Sequence, residues 1–79
     1  MSTKAYVLIE TSVGKSGDVA TALGVLPGVD TVDPVTGPYD IIAVVSANDL
    51  NAVGQIVTRE IHTVPGIVRT VTCMVVGGP

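Results

Sequence analysis

Leu26-Pro27-Gly28-Val29 recurs in the second half of the chain as Val64-Pro65-Gly66-Ile67. In each copy, a segment with helical spacing of apolar residues precedes the Pro-Gly pair, and a segment rich in β-branched residues follows it. Proline and glycine end helices, and β-branched side chains favour strands. The repeat therefore predicts that a helix–turn–strand unit occurs twice.

An apolar, strand-like stretch also precedes each unit. Tyr6-Val7-Leu8-Ile9 stands ahead of the first helix, and Ile41-Ile42-Ala43-Val44 stands ahead of the second. Strand–helix–strand, repeated once, is the split βαβ pattern of ferredoxin-like folds. We therefore expect an α+β fold of order βαββαβ, with a four-stranded antiparallel sheet and both helices on one face.

The predicted strands cover residues 5–11, 29–35, 39–45 and 67–76. Pro34 places the second strand at an edge of the sheet, because proline cannot donate to a ladder of hydrogen bonds. Residues 36–38 are expected to form the turn that leads into the third strand, and residues 77–79 are expected to form a frayed tail.

The helix boundaries follow from capping residues. Ser16 or Gly17 can open the first helix, whose apolar positions are Val19, Leu23 and Leu26. We expect Asn48 or Ser46 to cap the second helix, with Asp49 in its first turn. The apolar stripe predicted for the second helix is Leu50, Val53, Val57 and Ile61.

The first and third strands are apolar on both faces, whereas a half-solvated sheet alternates apolar and polar residues. The two helices of this topology cover only one face. A second copy of the chain is the simplest cover for the other, so we expect a homodimer whose sheets pack face to face, a dimeric α+β barrel.

Composition excludes several classes of protein. With 79 residues, the chain is expected to be a single domain. It is 47% hydrophobic and 14% charged, which argues against disorder, and no apolar run approaches the ~20 residues that a membrane span needs. Four basic residues and a net charge of −3 argue against direct nucleic-acid binding. One cysteine and the lack of an export signal make the cytoplasm the expected location.

The side chains that could act in catalysis or metal binding are few and are scattered along the chain. His62, at the end of the second helix, would suit the helix dipole as an imidazolium or be an ordinary terminal residue. Cys73 has no second thiol or histidine at ligand spacing, so we expect no metal site and no cofactor. Glu10, at a strand end, is either a base in a barrel mouth or a solvated terminus.

The stretch Thr36-Gly37-Pro38-Tyr39-Asp40 concentrates turn formers, an aromatic ring and a carboxylate at one strand junction. Gly37 lets a ligand approach the backbone, and Asp40 could hold an ammonium group or cap the hairpin. Thr70 and Thr72 point to the same side of the fourth strand. Their hydroxyls could bind a small polar ligand, or simply reflect strand propensity.

These pieces, with Ala47-Asn48-Asp49-Leu50 and Pro65-Gly66-Ile67-Val68-Arg69-Thr70-Val71-Thr72, resemble the effector-binding domain of the Lrp/AsnC transcription regulators, the RAM domain. The likeness runs from Ala5 to Val76. It implies face-to-face dimers that assemble into an octamer-like ring, with amino-acid effectors bound between dimers. Because the chain starts just before the first strand, it resembles a stand-alone domain over residues 1–79 without a DNA-binding part.

The resemblance also implies the site residues. The turn would recognise the α-carboxylate through main-chain amides and the α-ammonium through Asp40, and the fourth strand would add hydroxyls. The residues carried over as ligand-binding are Gly37, Pro38, Tyr39, Asp40, Thr70 and Thr72.

Three functions therefore compete. The first is a non-enzymatic amino-acid sensor that modulates full-length Lrp/AsnC regulators by mixed assembly. The second is a small dimeric α+β barrel enzyme, monooxygenase- or isomerase-like, which would need polar groups such as Glu10 and His62 to converge in a cavity. The third is a structural oligomerisation module.

Overall fold

The computed structural model describes residues 2–77. Of the tail expected at residues 77–79, residues 78–79 lie outside the described residues. The elements along the chain are β1 (Thr3–Thr11), α1 (Ser16–Gly24), β2 (Val29–Pro34), β3 (Ile41–Ala47), α2 (Leu50–Gln55), which runs directly into a π-helical segment (Ile56–Ile61), and β4 (Ile67–Met74).

The four strands form one sheet in the order β2-β3-β1-β4, and every neighbouring pair is antiparallel. This is the ferredoxin-like βαββαβ arrangement that the repeat predicted, and Pro34 lies on an edge strand as expected. Within residues 2–77, no helix is long and apolar enough to cross a membrane.

Both helices pack on the same face of the sheet. The odd-numbered residues of β1 and β3 point toward the helices, because side chains alternate between the two faces of a strand. Small branched side chains fill this core, with no aromatic ring among them. Its buried members are Ala5, Val7, Ile9, Val19, Leu23, Ile41, Ala43, Val45, Val53, Val57 and Ile61.

The opposite face, which we call the open face, carries the even-numbered residues of β1 and β3 and the odd-numbered residues of β4. Tyr6 and Val71 are exposed there, and Leu8, Ile42 and Val44 are half-buried. No part of residues 2–77 covers this apolar surface, which agrees with the two-faced character of the strands in the sequence.

Some predicted boundaries were wrong. β3 begins at Ile41 and ends at Ala47, two residues later than predicted, because Ser46 and Ala47 still pair with β1. β1 starts at Thr3 for the same reason, and β4 ends at Met74. The cap of α2 is Asp49 rather than Asn48 or Ser46: the Asp49 side chain accepts a hydrogen bond from the Ala52 amide at 2.8 Å.

The second helix widens after Gln55. The His62 amide donates to the carbonyl of Val57, five residues back, which is the bonding pattern of a π-helix. Val53, Val57 and Ile61 form its buried stripe, as predicted. Leu50 was also predicted in this stripe, but its side chain is 64% exposed. Leu50 is the first residue of α2, and because Cα–Cβ bonds tilt toward the helix N-terminus, its side chain extends beyond the end of the helix.

The glycines of the repeated tetrapeptide explain why it occurs twice. Gly28 and Gly66 both have positive φ angles, 85° and 98°. A Cβ on Gly28 would lie 2.6 Å from Ile56 Cδ1, and one on Gly66 would lie 3.0 Å from Val19 Cγ2. Each glycine therefore satisfies two constraints, an unusual backbone conformation and a close helix contact.

Gly28→Ala is expected to lower the free energy of unfolding by roughly 1–3 kcal/mol, because the new methyl group meets Ile56 in a strained backbone conformation. Gly54→Ala is the matched control: Gly54 lies inside α2, and no atom lies within 4 Å of the place that its Cβ would occupy. There the gain in helix propensity should raise stability by about 0.5–1 kcal/mol. Thermal unfolding of both variants measures the contrast, and equal effects would contradict it.

Candidate functional site

Asp40 joins the turn to the centre of the sheet. Its Oδ2 accepts hydrogen bonds from the Thr11 amide at 2.8 Å and from Thr11 Oγ1 at 3.2 Å. Its amide donates to the Ile9 carbonyl at 2.9 Å, and its own carbonyl accepts from the Val35 amide at 2.9 Å. Asp40 therefore ties the ends of β1, β2 and β3 together, the hairpin-capping role that the sequence left open.

The same carboxylate keeps one oxygen available. Within residues 2–77, Asp40 Oδ1 accepts no hydrogen bond, and the residue is only half-buried. Gly37 lies close by in the chain with φ of 156°, and no atom lies within 4 Å of where its Cβ would be. The turn is thus open enough for a ligand to approach its backbone.

Tyr39 reaches across the sheet end to β4. Arg69 donates to the Tyr39 hydroxyl at 3.2 Å and lies over its ring at 5.7 Å. Arg69 also faces Glu10 on the neighbouring strand, with 3.8 Å between Nε and Oε1. These three exposed or half-buried side chains form a polar cluster beside the Asp40 turn, at the end of the open face.

Thr70 and Thr72 lie on the other side of the sheet. They pair with Ile9 and Val7, which point into the core, so both hydroxyls belong to the helix-bearing face. Thr70 Oγ1 lies 2.7 Å from His62 Nε2. Within one chain, β1 separates these two threonines from Asp40, since β3 and β4 flank β1 on opposite sides.

The predicted residues therefore fall into two groups. Gly37, Pro38, Tyr39 and Asp40 share the turn, whereas Thr70 and Thr72 lie on the helix-bearing face, where Thr70 contacts His62. Glu10 and His62 do not converge: Glu10 pairs with Arg69 on the open face, and His62 bonds Thr70 on the helix face. The convergence that an acid–base enzyme would need does not occur within the described chain.

Two recesses lie outside the turn. One, of about 320 Å³, is lined by His62, Thr70 and the start of β4 from Ile67. A larger one, of about 460 Å³, lies between the Pro27-Gly28 turn and α2 and contains none of the predicted residues.

Two contributors to the site were missed in the sequence. Thr11 binds the Asp40 carboxylate, and Arg69 links Tyr39 to Glu10. The sequence did contain a signal for Arg69. Glu10 lies near the end of the first strand and Arg69 near the start of the fourth, so antiparallel pairing of these strands sets the two opposite charges against each other. Nothing local marks Thr11, since its partner is 29 residues away.

A family model of the Lrp/AsnC ligand binding domain matches residues 4–78. The chain belongs to the Lrp/AsnC family. Among curated proteins, the chain is 33% identical over 75 residues to an uncharacterized HTH-type transcriptional regulator of Pyrococcus furiosus, covering 91% of this chain and 50% of that regulator. It is 40% identical over 57 residues to homocitrate synthase of Sulfurisphaera tokodaii, covering 72% of this chain and 12% of the synthase. The Lrp/AsnC chain thus spans half of the regulator and a small part of the synthase.

Solved structures agree with the fold. TTHA0845 from Thermus thermophilus superposes with a TM-score of 0.91 at 32% identity, covering 98% of this chain and 96% of that chain. The transcriptional regulator NMB0573 of Neisseria meningitidis, solved as a complex with L-Met, gives a TM-score of 0.83 at 20% identity, covering 94% of this chain and 49% of that chain. The second likeness shows the shared Lrp/AsnC fold.

Asp40→Ala is expected to lower the free energy of unfolding of the ligand-free protein by roughly 1–2 kcal/mol, because the part-buried Thr11 amide loses its acceptor. Asp40→Asn should lose less, since the amide oxygen can still accept that bond. Asp18→Ala is the control for removal of an exposed carboxylate. Chemical denaturation compares the three variants, and equal stability of Asp40→Ala and the wild type would exclude the structural role.

Proposed function

We propose that this Lrp/AsnC domain is a non-enzymatic sensor that binds a free α-amino acid at the Thr36–Asp40 turn. The observation that carries the proposal is the state of Asp40: its Oδ2 is held by Thr11, while its Oδ1 accepts no hydrogen bond within residues 2–77. Gly37, three residues earlier, has no atom within 4 Å of where its Cβ would be. A fixed carboxylate with one unused oxygen suits an ammonium group, because charge-assisted hydrogen bonds are the strong ones.

The family membership supports the ligand class. The matching model describes a ligand binding domain, and the related regulator from Neisseria meningitidis was solved with L-Met bound. To bind an α-amino acid, a site needs an anion for the ammonium group and hydrogen-bond donors for the carboxylate. In the turn, Asp40 would bind the ammonium group and the backbone amides around Gly37 would bind the carboxylate.

Thr70 and Thr72 belong to the proposed site only if they come from another copy. In one chain they lie on the helix face, across β1 from the turn. A site between dimers removes this obstacle, because one copy can supply the turn and its neighbour the threonines. We therefore propose that the amino acid binds at such an interface.

The open face supports the dimer on which this site depends. Its apolar side chains, centred on Leu8 and Val44, would lose their contact with water when a second sheet packs on them. A domain of this size also buries only about 60% of its unfolded surface alone, so association adds needed burial.

The proposed output is regulation through assembly. A domain of this kind forms half of the P. furiosus regulator and matches a segment of the S. tokodaii synthase. We propose that the chain joins full-length Lrp/AsnC regulators in mixed assemblies and thereby reports the concentration of an amino acid to them, without contacting DNA itself.

A thermal-shift screen of the twenty amino acids should identify at least one that raises the melting temperature, since a ligand of the folded state stabilises it. For that amino acid, Asp40→Asn should weaken binding about ten- to hundredfold, through loss of roughly 1.5–3 kcal/mol. Gly37→Val should also abolish binding, because its side chain blocks the approach to the turn. Calorimetric titration measures both effects.

Asp18→Asn removes the same charge from α1 and is expected to keep wild-type affinity. If Asp40→Asn binds the amino acid as tightly as Asp18→Asn does, the turn is not the site of the ammonium group. If none of the twenty amino acids shifts the melting temperature, the sensor proposal itself fails.

Light scattering at micromolar concentration should show at least a dimer of 8.0 kDa chains. Val44→Lys should lower the mass of the assembly, because it places a charge in the middle of the open face. Val13→Lys, in a fully exposed loop position, should leave the mass unchanged. A wild-type monomer would contradict the dimer.

A further inference from the structure

The turn of residues 36–40 has few anchors to the rest of the chain. Asp40 closes it, because its carbonyl accepts from the Val35 amide at 2.9 Å and its carboxylate accepts from the Thr11 amide at 2.8 Å. Residues 36–38 are exposed, and no hydrogen bond within residues 2–77 involves them. The backbone that would meet an amino acid is therefore not fixed by its own hydrogen bonds.

Tyr39 supplies the one other side-chain anchor of the turn within residues 2–77. Its hydroxyl accepts a hydrogen bond from Arg69 Nη2 at 3.2 Å, and the guanidinium carbon lies 5.7 Å from the centre of its ring. Arg69 belongs to β4, whereas the turn joins β2 to β3, so the two side chains meet across the end of β1. Each contact is weak at an exposed surface, but both restrain the same ring.

Glu10 holds Arg69 in this position. The two residues are register partners of β1 and β4, and Arg69 Nε lies 3.8 Å from Glu10 Oε1. Glu10 also makes Arg69 a poor partner for a second anion, because it would repel an incoming carboxylate. Arg69 is therefore better suited to placing Tyr39 than to binding the carboxylate of an amino acid.

Two neighbouring residues of the turn are thus anchored on two different strands. Asp40 is bonded to Thr11 of β1, and Tyr39 is bonded to Arg69 of β4. Because the partner of Arg69 in β1 is Glu10, which directly precedes Thr11, both anchors meet the sheet at the same end of that strand. Loss of Arg69 would leave Asp40 as the only side-chain anchor.

We propose that Arg69 is a positioning residue of the amino-acid site: it fixes the turn through Tyr39 and does not touch the amino acid. This role rests on the proposed function, because it concerns the same site. Binding to a mobile turn costs the free energy of ordering it, and a turn that is ordered in advance avoids that cost. Arg69 therefore raises the affinity for every amino acid that the site accepts, whatever its side chain.

Arg69→Met tests this role by calorimetric titration with each of the twenty amino acids that stabilises the wild-type protein. Methionine keeps an unbranched side chain but removes the charge and every N–H. Affinity should fall roughly two- to tenfold, by about the same factor for each of those amino acids. Arg59→Met is the matched control, since Arg59 is exposed on the π-helical segment, and it should keep wild-type affinity.

Two results of the titration would overturn the positioning role. The first is equal affinity of the Arg69→Met and Arg59→Met chains. The second is a loss confined to amino acids with acidic side chains, because Arg69 would then contact the ligand. Both results leave the proposed function intact if Asp40→Asn weakens binding. If Asp40→Asn binds as tightly as the wild type, the proposed function fails, and the role of Arg69 fails with it.

A double-mutant cycle shows whether Arg69 acts through Tyr39. Tyr39→Leu removes both the hydroxyl and the ring, so adding Arg69→Met to it should weaken binding no further. If Arg69→Met costs the same factor in the Tyr39→Leu chain as in the wild type, Arg69 acts independently of Tyr39 and the proposal is wrong. A lower assembly mass of Arg69→Met in light scattering would also overturn it, by assigning Arg69 to association of the chains.

Nuclear magnetic resonance tests the turn without any amino acid. Amide ¹⁵N relaxation of Thr36, Gly37 and Tyr39 should give lower order parameters in Arg69→Met than in the wild type, because the turn gains freedom. Arg59→Met should leave these order parameters unchanged. Unchanged values in Arg69→Met would overturn the positioning role, whether or not an amino acid is found to bind.

Discussion

The register of β1 between β3 and β4 is the constraint on which the rest of the structure depends. With Val7 set opposite Ala43 and Thr72, the odd-numbered residues of β1 point to the helices and the even-numbered ones to the open face. A slip of one residue would exchange the two faces and expose the entire core. Asp40 fixes this register at the sheet end, since its amide bonds Ile9 and its carboxylate bonds Thr11.

The same carboxylate connects the fold to the proposed function. Oδ2 accepts hydrogen bonds from Thr11 of β1, and Oδ1 accepts none within residues 2–77. An ammonium group bound to this carboxylate would act on the side chain that joins the turn to β1, so ligand binding and the stability of this sheet end would be coupled. A second copy packed on the open face would add apolar burial to a small domain whose own core consists of small, mostly branched side chains.

The sequence by itself determined the fold class, because the signals for it are local and repeated. Two Pro-Gly turns, two helical apolar stripes and four β-branched runs each specify their element from neighbouring residues. Pro34 indicated an edge strand because proline has no N–H to donate to a neighbouring strand, whatever the sheet. Errors were confined to ends: several residues between Ser46 and Asp49 can cap a helix, and only the packing of α2 selected Asp49.

The site depended on contacts that no local pattern contains. Asp40 meets Thr11 across 29 residues, and Arg69 meets Tyr39 across 30. The sequence placed a carboxylate, a turn and two threonines among the candidates, but only the tertiary structure separated Thr70 from Asp40 by a whole strand. The reason is physical: residue type sets which groups can bind, while strand order and register, fixed by burial of the whole core, set which of them can meet.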